Sequence, residues 1–235
     1  MGCGASASKD APHLAKYFKL LAKKTEQSQE QAIEVGVAML MGGGSELIQK
    51  QKEEMMKWYE EDGKPCLTKS FEHHDKDGSK ALDSAEAKVF FLNLIQETET
   101  FTSALAQTTA QQQLQKSVEL MKKMMGSRDA KKMEKEAQAA LKKVLDAQKK
   151  DFDKRIEEYK KNKDARDEAA FKVMDMSADG KISLDEFLSA FVPDSDKQRT
   201  LMVALGFMTE QEKLQEEQVK KMKEEGGGDG ECAQQ

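Results

Sequence analysis

A chain of 235 residues can bury a core of its own, as one large domain or two small ones. Charged residues make up 34% of it and aromatics only 6%, with three prolines, which argues against a β-sandwich or barrel and favours long solvated helices in an all-α fold. The formal net charge of −5 argues against a nucleic-acid-binding surface, so no nucleic-acid partner is expected.

The N-terminus, residues 1–11, reads as a flexible segment built for acylation. In Met1-Gly2-Cys3-Gly4-Ala5-Ser6, removal of methionine frees Gly2 for myristoylation, and Ser6 stands where that modification favours a hydroxyl residue. One myristoyl chain holds a bilayer only marginally, and Cys3 is placed to take a palmitoyl group as the second anchor. Lys9, Lys16, Lys19, Lys23 and Lys24 against Asp10 favour an anionic lipid surface. No stretch approaches eighteen consecutive apolar residues, and Cys3, Cys66 and Cys232 are too few and scattered for a disulfide framework. The expected location is the cytoplasmic face of a membrane, or the cytosol for the unacylated chain.

Residues 12–62 form a helical segment in this reading. Pro12 suits a first helical position, and Leu14, Phe18 and Leu21 share a face, giving a short amphipathic helix. A second apolar stretch, Ile33 to Met41, stops at Gly42-Gly43-Gly44. Ser45 then caps a helix through Met55, Met56 and Trp58, which Asp62-Gly63-Lys64-Pro65 breaks.

Residues 63–100 hold the first specific signal. The run from Asp75 to Glu86 sets oxygen donors at alternate positions: the side chains of Asp75, Asp77 and Ser79, the Ala81 carbonyl, Asp83, and a closing carboxylate at Glu86. Calcium requires about six or seven oxygens at short range, which this spacing supplies. Leu67 and Phe71 before the loop and Ala87, Phe90, Phe91 and Leu94 after it mark two packing helices. The sixth position, where glycine's freedom at positive φ is wanted, holds Lys80, at an expected strain of about 1–2 kcal/mol. His73 and His74 beside Cys66 read as packing and surface residues rather than zinc ligands.

Residues 101–165 are a charged helical region. Leu114, Val118, Met121 and Met125 step at helical spacing, Gly126-Ser127 interrupts, and Met133, Ala137, Leu141, Leu145, Phe152, Ile156 and Tyr159 resume the stripe, with Gln148 in one apolar slot. This predicts a long amphipathic helix packed on its own chain, with a coiled coil as the alternative.

Residues 166–195 repeat the loop pattern. Asp175, Ser177 and Asp179 offer side-chain oxygens, Lys181 its carbonyl, Ser183 or a water the ninth position, and Glu186 the closing carboxylate, while Gly180 makes the sharp turn. Phe171 and Met174 precede it; Phe187, Ala190 and Phe191 follow. Residues 196–224 add C-terminal helices, and 225–235 read as a disordered tail.

These two stretches, about thirty residues each, resemble the EF-hand superfamily. The N-terminal Gly2-Cys3 arrangement resembles that of the dual-acylated flagellar calcium-binding proteins and, more distantly, recoverin-like sensors. The resemblance implies Ca2+ as the ligand and hands working in pairs. No nearer partner exists for either loop, so Leu82 is expected to face Ile182 although the loops start one hundred positions apart, the rivals being pairing between two chains or two isolated hands. It implies a membrane-tethered calcium sensor or buffer, whose target protein docks on apolar surface exposed by calcium. The alternative is a helical scaffold in which calcium is structural. No Ser/His/Asp-like set, phosphate-binding glycine loop or His-Glu-x-x-His is found, so no enzyme is expected.

Overall fold

The computed structural model describes residues 11–40, 44–125 and 127–209, with 212, 214, 215 and 218 beyond them. Gly2, Cys3, the Cys232 tail and most of the last predicted helix lie outside the described residues. The described chain is predominantly helical, in the order α1 (Pro12–Leu40), α2 (Gly44–Trp58), a π-helical turn (Tyr59–Gly63), α3 (Lys64–His74), β1 (Ala81–Leu82), α4 (Ser84–Met125), α5 (Ser127–Lys161), α6 (Lys163–Met174), β2 (Ile182–Ser183), α7 (Leu184–Ser189) and α8 (Asp196–Leu205). No described helix is long and apolar enough to cross a membrane.

Two expected interruptions and one expected cap are absent or different. The short helix and the later apolar stretch are one helix, α1, because the polar run between them consists mostly of Lys, Glu and Gln, which sustain a helix without burial. Ser45 lies inside α2, which begins at Gly44. The break expected at Asp62 to Pro65 is instead a π turn that runs into α3: the Lys64 N–H bonds the Tyr59 carbonyl, and Pro65 follows in the first turn of α3, its fixed φ compatible with a helix.

The charged region is interrupted at the position Gly126-Ser127 predicts. It folds into two helices, α4 and α5, meeting where Met125 gives way to Ser127, and they pack on each other. Helix α4 starts at Ser84, within the last turn of the first loop, and runs 42 residues without a break, so the first helix-loop-helix unit has no end near residue 100. Between α4 and α5 lies an open cleft of about 1700 Å3, floored by Leu114, Val118, Leu141, Leu145, Phe152 and Phe207.

The core sits where the two loops' helices meet. Phe71, Phe90, Phe91, Phe187 and Phe191 are all buried, with ring centroids 4.8 Å apart for Phe90–Phe187 and 5.3 Å for Phe71–Phe187. Each such ring contributes about 2–3 kcal/mol by burial. Leu14 and Tyr17 of α1 close one side of this core, Tyr17 meeting Phe191 edge to face. Tyr59 reaches the same place from the π turn and donates its hydroxyl to the Leu188 carbonyl at 2.8 Å, joining residues 129 positions apart.

Candidate metal-binding loops

Helix α3 ends at His74, with Asp75 after it as the C-cap, and helix α4 begins at Ser84, so the first loop runs from the end of α3 into the first turn of α4, which carries Glu86. Asp83 caps α4, its Oδ1 accepting from the backbone N–H groups of Ala85 and Glu86 at 2.8 and 2.9 Å. Asp75 accepts from the Ser79 N–H at 3.0 Å and, with its other oxygen, from the Lys80 N–H at 2.9 Å. Glu86 reaches back over the loop, accepting from the Lys76 and Asp83 N–H groups at 2.7 and 3.1 Å. These bonds gather Asp75, Asp77 and Glu86 so that one oxygen of each lies within 4.8 Å of the others. Hydrogen bonds from the Ser79 backbone and hydroxyl hold the Asp77 carboxyl below its ordinary value.

The second loop has the same frame. Asp175 accepts from the Asp179 and Gly180 N–H groups at 3.2 and 3.0 Å, and Asp179 from the Lys181 N–H at 2.9 Å. Ser183 and Glu186 form a reciprocal cap at the start of α7. Glu186 accepts from the Ser177 N–H at 2.9 Å and from the Ser183 N–H and hydroxyl at 2.9 and 2.8 Å. Burial pushes the Glu186 carboxyl up, but these hydrogen bonds outweigh it and hold it at about 2.

The loops face each other within one chain. Strands β1 and β2 pair antiparallel, Leu82 opposite Ile182 and Ala81 opposite Ser183, and both apolar partners are fully buried. Helices α4, α5 and α6, of 42, 35 and 12 residues, therefore leave from this bridge and lead back to it.

Backbone conformation corrects one expectation. Lys80 does adopt a left-handed φ of 65°, but each loop has a second such position: Gly78 at 70° in the first, and Ala178 at 55° alongside Gly180 at 83° in the second. Each loop thus places glycine at one left-handed position and a Cβ-bearing residue at the other. The strain assigned to the first loop alone is shared. Counting oxygen ligands had drawn no notice to Ala178.

The donors fit a hard divalent cation: carboxylates, hydroxyls and carbonyls recur at fixed spacing, with no thiolate or imidazole among them. His74 belongs to the packing. The Ser70 carbonyl, 2.7 Å from Nδ1, can only accept, so Nδ1 carries the proton, and Nε2 accepts from the Asn93 side-chain amide at 2.9 Å. That buried bond joins α3 to α4. Burial depresses the pKa of the His74 imidazole. Cys66 is buried, with its thiol raised first by burial.

Sequence reasoning did not foresee the part played by α8. It lies antiparallel to α6, tied at both ends: Arg166 donates to the Val203 and Ala204 carbonyls at 3.2 and 3.3 Å, and Lys197 donates to the Met174 carbonyl at 3.4 Å. Each helix's last carbonyls thereby receive a cation from the other. At the start of α6, the buried Asp167 accepts from the Tyr159 hydroxyl and the Lys163 ammonium, both at 2.5 Å, fixing the angle at which α5 enters α6. Compared with known proteins, the chain matches no family model, no curated protein and no solved structure.

Proposed function

We propose that this chain binds two calcium ions, one in each loop, and works at a membrane surface as a calcium sensor or buffer. The ligands are Asp75, Asp77, Ser79, the Ala81 carbonyl, Asp83 and Glu86 in the first loop, and Asp175, Ser177, Asp179, the Lys181 carbonyl, Ser183 and Glu186 in the second. The observation that carries the reading is the convergence of two oxygen-rich twelve-residue loops, distant in sequence, on one antiparallel bridge. Two such loops sharing a bridge and a core communicate, because a change at one is felt through Leu82 and Ile182 by the other. Gly2 and Cys3 supply the acyl anchors, and the target is a protein that docks on apolar surface exposed when the helices reorient.

Calorimetric titration of the full chain with calcium tests the reading. Two binding events are expected, with Glu86→Gln removing one and Glu186→Gln the other. Absence of binding heat across the micromolar to millimolar range of such sites, with no calcium-dependent spectroscopic change, would sink it. A probe of exposed apolar surface, read with calcium and with magnesium, separates sensor from buffer. For the anchor, Gly2→Ala in a eukaryotic cell releases the protein from membranes, and retention overturns that part.

A second reading, a helical scaffold with structural calcium, draws on the α4–α5 pair and its open cleft. It expects a partner bound equally well with and without calcium.

A further inference from the structure

We infer that Lys197, which lies outside the second loop and offers it no oxygen, is the positioning residue that holds this loop closed. The inference rests on the calcium reading for its consequence, though not for its geometry. An ammonium has three N–H donors. Those of Lys197 meet three acceptors: the Met174 carbonyl at 3.4 Å, the Glu186 carbonyl at 3.1 Å and the Ser189 hydroxyl at 2.6 Å. Met174 is the residue before the first ligand and Glu186 is the last ligand, so one side chain spans both ends of the twelve-residue loop.

The loop needs such a clasp because α7 is only six residues long. A helix this short has too few internal hydrogen bonds to hold its own direction. In the first loop the departing helix, α4, is long, and the His74–Asn93 bond ties it directly to α3. In the second, α8 supplies the missing length, bound along α6 by Arg166 at one end and Lys197 at the other. Ser189 strengthens the clasp: its hydroxyl donates to the Glu186 carbonyl at 2.6 Å while accepting from Lys197. Closing the loop in advance removes part of the ordering cost of binding, and so raises affinity without adding a ligand. A positive charge near a cation site acts the other way, but the half-buried ammonium faces main-chain oxygens and solvent screening limits the repulsion.

Lys197→Met keeps the aliphatic stem and removes the three donors. In the full chain without added metal, amide hydrogen exchange at Ser177 and Ser183, whose N–H groups donate to Glu186, is expected to speed up about tenfold, with Ser79 and Lys80 unchanged. Calcium affinity of the second loop is expected to fall about tenfold. Lys172→Met, which removes an exposed charge from α6, is expected to leave both readings alone. Unchanged exchange at Ser177 and Ser183, an equal rise in both loops, or tighter calcium binding in Lys197→Met overturns the proposal. If the wild-type chain binds no calcium, the calcium reading fails and the exchange pattern alone decides the clasp. Should Lys197→Met not fold, Ser189→Ala removes one arm and is judged by the same exchange pattern.

Discussion

Each loop bends through two left-handed residues and gives glycine to only one of them. A left-handed alanine or lysine costs about 1–2 kcal/mol, so Lys80→Gly and Ala178→Gly should each tighten its own loop, by about fivefold for the first kilocalorie relieved. Calorimetry on each variant reads this, and neutrality at both positions would refute the strain argument. With the strain shared, carboxylate count favours the first loop, four acids against three. Glu86→Gln is thus the variant expected to remove the tighter binding phase. The gathering of Asp75, Asp77 and Glu86 was legible from the sequence because acidic residues at those intervals fall on one side of a tight loop. Ala178 escaped notice because backbone strain leaves no mark on a residue that serves only as a spacer.

His74 makes a pH prediction at the same scale. Its buried imidazole is held neutral, with a folded pKa below the ordinary 6.5, so the unfolded chain takes up a proton first as pH falls. Its contribution to stability is complete above 6.5 and is lost as pH drops from there through the folded value. Urea unfolding at pH 7.5 and pH 5 should differ more for the wild type than for His74→Gln. Equal differences would mean that His74 does not titrate on unfolding in this range.

Among the elements, the attachment of α8 is the most exposed to a single change. Gly206 ends that helix at a φ of 85°, and a Cβ there would stand 2.9 Å from the Arg166 guanidinium carbon. Gly206→Ala therefore combines left-handed strain with displacement of the cation that caps α8, and should destabilise the protein by about 2 kcal/mol or more, read by chemical denaturation. At the other joint, Tyr159→Phe leaves the buried Asp167 with the Lys163 ammonium alone, at a cost of about 1–3 kcal/mol. A loss under about 0.5 kcal/mol at either site would contradict the bonding described. Elements with a regular apolar stripe could be anticipated: the slots at Leu114, Val118, Leu141 and Leu145 line one surface, as their spacing predicts. The continuity of α1 and of the π turn into α3 could not, since glycine, proline and polar runs ordinarily mark breaks. Helix propensity and Pro65's tolerated place in a first turn prevailed.

At the scale of the whole molecule, the two loops are held together by the bridge and the phenylalanine core rather than by the chain between them. A protease site inserted between Met125 and Ser127 should therefore give two fragments that co-elute under native conditions and separate in urea. Separation without denaturant would place the decisive contacts elsewhere.

The length of α4 has a mechanical consequence. Forty-two residues at 1.5 Å per residue make a rod of about 60 Å, rooted two residues before Glu86. A rotation of about 10° at that root would sweep the far end through about 10 Å, so a sub-ångström adjustment at the loop would become a displacement as wide as a helix. Spin labels at the exposed Glu72 on α3 and Gln111 on α4 measure that arc directly. A calcium-dependent change of several ångströms makes the rod a lever arm; a distance that stays fixed makes it a strut.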